Sequence, residues 1–331
     1  MTIETMVELP RERRRLTLKL ASGSFASLAL TRLVSALVVL WAAVTLTFLS
    51  VHIAPGDVVH ILLGDQIPTP ALEAAIRAEW GLDEPLASQY VQYLGRVLQG
   101  DFGRSYMLQT DVGSLVLSQL GPTLRLTVAS LLVALVFALG TALLTADRPF
   151  ARRIASTFEL VVISTPSFWL GIVLLYVFSF TLKLFPVAGD RGLSSLVLPA
   201  LAIGLSLGAV VGQVLRQGLE KALEDPFALT VRSWGAREIT LRLRHALRHA
   251  AIPAVTLTGW LIGGLLGGAF VTEQVFGRPG LGRITVDAVL NQDLPVVMAV
   301  AIFTALITVV LSTLVDLLYL ALDPRLRHRK G

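Results

Sequence analysis

Six stretches of this 331-residue chain are apolar for long enough to cross a lipid bilayer, and no other feature constrains the fold as tightly. A helix rises about 1.5 Å per residue, so roughly 20 apolar residues cover a hydrocarbon core of about 30 Å. The runs are Leu33 to Ile53, Leu126 to Ala146, Ala155 to Leu182, Leu196 to Val214, Ala251 to Val271 and Leu294 to Leu322. The third and sixth are long enough to tilt or overhang. Composition agrees, since 54% of residues are hydrophobic and 15% charged, against roughly 25% charged in a soluble domain. The sequence predicts an all-α, polytopic integral membrane protein with six transmembrane helices.

Lys and Arg beside the spans set the orientation. One set of segments holds Arg11, Arg13, Arg14, Arg15, Lys19 and Arg32, then Arg148, Arg152 and Arg153, then Arg216, Lys221, Arg232, Arg237, Arg242, Arg244 and Arg248, and finally Arg325, Arg327, Arg329 and Lys330. The alternate segments hold only Arg77, Arg96, Arg104, Lys183, Arg191, Arg278 and Arg283. Both termini are therefore expected in the cytoplasm. The net charge of +5 comes from groups flanking apolar spans, which points to membrane lipid as the anionic partner and away from nucleic acid. The first run begins late and is full span length, so it is expected to stay as a transmembrane helix rather than leave with a signal peptide. The absence of cysteine excludes disulfides and thiolate ligands.

The expected organisation is a cytoplasmic N-terminal segment (1–32), a first span (33–53), an extracytoplasmic loop with short helices (54–122), a core domain carrying the other five spans (123–322) with a cytoplasmic insert at 216–250, and a cytoplasmic tail (323–331). In the long loop, Thr69 can cap a helix opened by Pro70. Asp83 can cap another, on which Leu86, Tyr90, Tyr93, Leu94 and Val97 share a face. Gly100 to Gly103 reads as a turn.

No enzyme site is legible. The chain has no GxxxxGK[ST] phosphate loop and no HExxH, and its five histidines form no ligand cluster by spacing. His245 and His249 lie four apart on a predicted helix, but in a cationic segment without a carboxylate partner they read as surface imidazoles. No metal or cofactor is expected on this chain. Glu159, Arg125 and Asp316 fall near span ends and Glu273 lies just past the fifth, so the midplane lacks the charges that an ion-coupled transporter places there.

The stretch from Asp225 to Pro253, DPFALTVRSWGAREITLRLRHALRHAAIP, is the basic insert. Asp225 can cap and Pro226 open a short helix bearing Phe227, Val231 and Trp234, which Gly235 can end. Beyond it, at about 100° per residue, Ile239, Leu243, Ala246, Leu247 and Ala250 form one stripe, with Arg237, Arg244 and Arg248 opposite. Periodicity alone leaves two readings open: an amphipathic helix lying on lipid, with Trp234 as an interfacial anchor, or a dock for a protein.

The insert resembles the cytoplasmic EAA loop of permeases from binding-protein-dependent ABC importers. Gly235 stands at the loop's glycine and Leu247 at its leucine; Leu229-Thr230-Val231 replace EAA, His245 replaces an isoleucine and Arg248 a proline. LRHALRHA from Leu243 to Ala250 is similar to the run usual in the dipeptide/oligopeptide/nickel branch. Further matches are Ala54-Pro55-Gly56-Asp57, Gly81 to Leu86, Gly100 to Ser105, Pro166 to Gly171, Phe276 with Pro279-Gly280-Leu281-Gly282, and Leu322 to Arg325.

The long loop after span one resembles the "B" permease of that branch, which implies a type I importer fold in a bacterial plasma membrane. The implied partners are a similar "C" permease, two cytoplasmic ATPase subunits that hold ATP and Mg, and an extracytoplasmic solute-binding protein. The resemblance makes Pro226 to Trp234 the coupling helix, with Phe227, Val231 and Trp234 as anchors and Gly235 as the turn. Arg232 and Arg237 would meet acidic residues of an ATPase, and His245 and Leu247 complete the loop. Short peptides are the expected solute, with a nickel chelate or another small solute as alternatives. A secondary transporter and a membrane scaffold are the competing classes. Pro166 and Pro199 are expected to interrupt the third and fourth spans, and Gly263-Gly264 with Gly267-Gly268 to permit close helix approach. Residues lining a substrate path are not legible.

Overall fold

A computed structural model describes residues 25–53, 59, 63, 69–80 and 83–322. The N-terminal arginines, the tail, and the matches at Ala54 to Asp57 and at Gly81-Leu82 lie outside the described residues. What is described is helical, with one isolated bridge between Arg104 and Asp111. In chain order the helices are α1 (Phe25–Ile53), α2 (Pro70–Trp80), α3 (Leu86–Leu98), α4 (Val112–Thr145), α5 (Pro149–Ser164), α6 (Ser167–Leu174, prolonged as a π-helix over Leu175–Thr181) and α7 (Ser194–Glu224). They continue as α8 (Pro226–Ser233), α9 (Glu238–Thr240, passing through a π-helix at Leu241–Ala246), α10 (Leu247–Val275), α11 (Leu281–Leu290) and α12 (Leu294–Leu322).

Among these, four helices are long and apolar enough to cross a membrane: α1, α4, α7 and α12. A fifth crossing results if α5 and α6 count as one span, but they meet at 106°. The third apolar run is therefore two helices and not one interrupted span, because Pro166 cannot continue α5 and instead takes the N-cap position of α6. The run at 251–271 lies on α10, itself 29 residues long. The expected number of six is thus not established by helix length and hydropathy. The loop boundary expected at Pro122 falls inside α4, which begins at Val112 where Asp111 accepts from the Ser114 N–H at 2.7 Å.

The core is organised around α7, which packs along α4 and α10 and touches α5 and α6. Gly204, Gly208 and Gly212 repeat at helical spacing on the face toward α4. A Cβ at Gly204 would lie 2.6 Å from the Ser130 carbonyl oxygen, one at Gly208 3.0 Å from Ala134 Cα, and one at Gly212 2.8 Å from Thr141 Oγ1. This small-residue seam brings the two backbones together without a hydrophobic driving force, as lipid-embedded helices require. Gly218 repeats the device against Ala250 of α10, 2.9 Å from its Cα.

Pro199 does not interrupt its span, because α7 runs unbroken through it. The ring removes the N–H that would have bonded the Ser195 carbonyl, and the Arg278 guanidinium donates to that oxygen instead, at 2.9 Å.

The shared face predicted on α3 is present: Tyr90, Tyr93, Leu94 and Val97 pack with Val44 and Phe48 of α1 and Ile302 of α12. Thr69 caps α2 through the Leu72 N–H at 3.3 Å. Asp83 does not cap α3; Pro85 holds that position, and the Glu84 carboxylate accepts from Ser88 Oγ and Gln92 Nε2 at 2.6 and 2.7 Å. Leu86 is exposed rather than part of the face.

Candidate coupling surface and central cavity

α8 follows α7 with only Asp225 between them. Asp225 occupies the N-cap position with extended backbone, although its side chain makes no cap hydrogen bond. Gly235, at φ +78°, turns the chain after the helix, and its N–H donates to the Arg232 carbonyl at 2.9 Å. Ala228 and Val231 are buried with Leu241, and Phe227 packs beside them, its ring centroid 5.0 Å from that of His249. Val231 is thus part of the chain's own packing, and Phe227, half-buried, packs partly against it. The outward face holds Leu229 at 67% exposure, Thr230, Ser233 and Trp234 at 77%. Leu229 lies two residues before the buried Val231, about 200° round the helix, and Trp234 occupies the C-cap just past its last turn.

The arginines divide similarly. Arg232 is engaged within the insert, its Nε donating to Glu238 at 2.7 Å. That hydrogen bond holds the Glu238 carboxyl below its ordinary range, with burial opposing. Arg237 remains exposed at the start of α9. Arg242 reaches Asp147 in the α4–α5 link and the Leu143 carbonyl. These contacts seat the insert on the bundle.

The expected apolar stripe beyond Gly235 is only half right. Ala246 and Ala250 are buried and Leu247 packs on the core, but Ile239 and Leu243 are 54% and 48% exposed, and Leu241 is fully buried in their place. The π-helical turn at Leu241–Ala246 is the cause. It adds a residue to the turn, so positions before it rotate off the face read at a strict α period. His245 lies within this turn, half-buried.

Just inside the bundle from this surface, Arg216 of α7 and Glu159 of α5 form a two-armed pair at 2.9 and 2.6 Å, and Arg216 also donates to Ser156 Oγ at 3.1 Å. Both charged side chains are buried. The pair fastens the helix that leads into α8 to the first half of the bent α5–α6 segment.

The opposite end carries a second polar network, built from several matched motifs. Glu273 accepts from Thr123 Oγ1 at 2.6 Å and from the Gly282 N–H at 2.7 Å, and its carboxylate fills the space a Cβ on Gly280 would need. Arg278 joins Asp190 to the Gly189 and Ser195 carbonyls. Phe276 lies against Gly171, where a Cβ would come within 3.1 Å of its ring. Asp293 accepts from Ser105 Oγ and from the Tyr106 N–H at 3.0 Å. The PSFWLG, FGRPGLG and GDFGRS sequences therefore hold loops to helix ends on this side.

Between the two ends, a cavity of about 350 Å³ opens at the α5–α6 break, against the middle of α7 and α10. Thr165, Ser167, Ser206, Val210, Gly264 and Gly268 are among its walls, and none of the described residues lining it is charged. The sequence signal for it was the Pro166 break together with the glycine run of α10. Gly264 and Gly267 mediate no close approach among the described residues, since a Cβ on either would meet none of them within 4 Å.

Residues 134–328 match the family described as binding-protein-dependent transport system inner membrane component, and residues 26–127 match its N-terminal part. The chain is 35% identical over 302 residues to the glutathione transport system permease protein GsiC of Salmonella choleraesuis strain SC-B67, covering 91% of this chain and 98% of that protein. It is 35% identical over 300 residues to GsiC of Escherichia coli strain K12, with coverage of 90% and 98%. The fold is similar to a structure of the MetNI methionine ABC transporter in an inward-facing conformation. The TM-score is 0.52 at 18% identity, over 63% of this chain and 96% of that one. With a match over most of the helical core and relatives aligned along nearly their whole length, this chain belongs to the binding-protein-dependent inner membrane components, the multi-pass permease subunits of ABC importers.

Proposed function

We propose that this chain moves short peptides inward by alternating access, powered by partner ATPases that dock on α8. The observation that carries the reading is the exposure of Leu229 on α8 and of Trp234 at its C-cap, while Ala228 and Val231 of the same helix are seated in the chain's own core. A rigidly backed helix presenting one aromatic and one aliphatic side chain has the form of a small interface hot spot. Its continuity with α7 gives a push on α8 a direct route into the bundle.

The basic residues around α8 support a cytoplasmic location for that end, with both termini on the same side. ATP and Mg would reside on two ATPase subunits, a second permease would complete the pore, and a solute-binding protein would deliver solute at the opposite face. Glutathione is a tripeptide, and its appearance in the relatives' names supports peptides as the solute class.

The test is assembly of the importer with Leu229→Ala and Trp234→Ala together. Losing such a pair costs about 2 kcal/mol or more, so ATPase affinity is expected to fall by about 30-fold or more in co-purification, with the permease still folded. Unchanged ATPase association and unchanged transport would contradict the assignment.

A further inference from the structure

We propose that the cavity at the α5–α6 break is a section of the solute path that takes the main chain of a peptide rather than its charged ends. This rests on the importer reading above and deepens it. The volume of about 350 Å³ lies within the range of small-molecule sites, about 300–1,000 Å³.

Three observations point the same way. The first is the backbone. The Thr165 N–H reaches back to Val162 and the first bond of α6 runs from Leu170 to Pro166, so the N–H groups of Ser167, Phe168 and Trp169 have no acceptor inside the helix and no side chain caps them. Within a bilayer such backbone is stable only against protein or a water-filled cavity, and here the break borders the cavity.

The second is the glycines. Those of α7 have a neighbouring helix where a Cβ would stand, whereas of the two α10 glycines on the wall Gly264 has nothing described within 4 Å and Gly268 only Ser167 Oγ at 3.9 Å. Missing side chains keep this space wide.

The third is the chemistry of the wall. Thr165 donates its hydroxyl to Val161 at 2.7 Å and Ser206 donates to Ala202 at 3.1 Å. Both oxygens keep lone pairs to accept from a passing amide N–H. With no carboxylate or guanidinium among the described residues of the wall, charged termini and charged side chains find no partner there. The shared feature of all peptides, the amide chain, does.

The chain has no cysteine, so single replacements report directly. Gly264→Cys and Ser206→Cys are made in the reconstituted importer, the first facing open space and the second nearly isosteric. A small neutral, water-soluble reagent, 2-hydroxyethyl methanethiosulfonate, is expected to label both in at least one nucleotide state, while Ala138→Cys, buried at the α4–α7 seam, stays unlabelled. The peptide that the importer accumulates, S-methylglutathione or trialanine, should slow labelling about tenfold at about ten times its apparent Kd.

Continued uptake without labelling of either cysteine in any nucleotide state would overturn the proposal, making the cavity a dry contact with the second permease and leaving the importer reading intact. Labelling that peptide does not slow would overturn its occupancy by peptide. Failure of the unsubstituted importer to accumulate either peptide would instead contradict the peptide reading beneath it.

Discussion

Arg216 and Glu159 carry the strongest single-residue consequence of this fold. Taking either charge out of water alone costs several kcal/mol, and the two-armed geometry with Ser156 offsets that cost only while all partners remain. Glu159→Leu is expected to destabilise the detergent-purified protein by about 3–5 kcal/mol, because it strands a buried guanidinium. Glu159→Leu combined with Arg216→Met should recover most of that loss, since an apolar pair of similar volume has no desolvation to repay. Unfolding of the two variants side by side measures the difference. A double variant no more stable than the single would show that the pair is not the source. The sequence shows both residues near span ends but not their pairing, because they sit on separate helices, α5 and α7, that meet only in the folded bundle. Leu229 and Trp234 illustrate the same limit. An eight-residue helix has too few turns for its inward face to be read, and the buried side is decided by Leu241, beyond the Gly235 turn.

At the level of elements, long helices were legible and their joints were not. Hydropathy locates the part of a helix that lipid covers, so it marks α4 from Leu126 onward and passes over its first turns, which Asp111 caps. Pro166 marks the α5–α6 joint in the sequence though not its angle, whereas the π turn before α10 leaves little trace, since it depends on where hydrogen bonds shift. The glycines of α7 were legible in principle, because GLSLGAVVG from Gly204 to Gly212 is a small-residue repeat of the kind that packs membrane helices. A paired substitution separates packing glycines from open ones. Gly208→Ala places a methyl against the Ala134 backbone and is expected to cost about 1–3 kcal/mol as overpacking. Gly267→Ala, facing open space in α10, is expected to cost nothing and to add up to about 1 kcal/mol of helix propensity. Thermal unfolding of the purified chain distinguishes them, and equal losses at both positions would contradict the seam.

Across the whole molecule, polar networks fasten both ends and the uncharged cavity lies between. Arg242 with Asp147 and Arg232 with Glu238 hold the α8 end, while Glu273, Arg278 and Asp293 hold the loops of the other. This arrangement suits rigid ends that transmit motion to a broken helix in the middle, the form alternating access requires. The family was legible in the sequence because several short motifs occur in order, and three of them, GDFGRS, PSFWLG and FGRPGLG, contribute contacts at the end opposite α8. The solute was not legible, since a charge-free wall carries no distinctive residue pattern. The most direct measurement is uptake of radiolabelled trialanine and S-methylglutathione into proteoliposomes holding this permease, its second permease and the ATPases, with the solute-binding protein supplied at the opposite face. The account predicts concentrative uptake that requires both ATP and the ATPases and is abolished when Leu229 and Trp234 are replaced together. Concentrative uptake by this chain alone, without ATP, would contradict it.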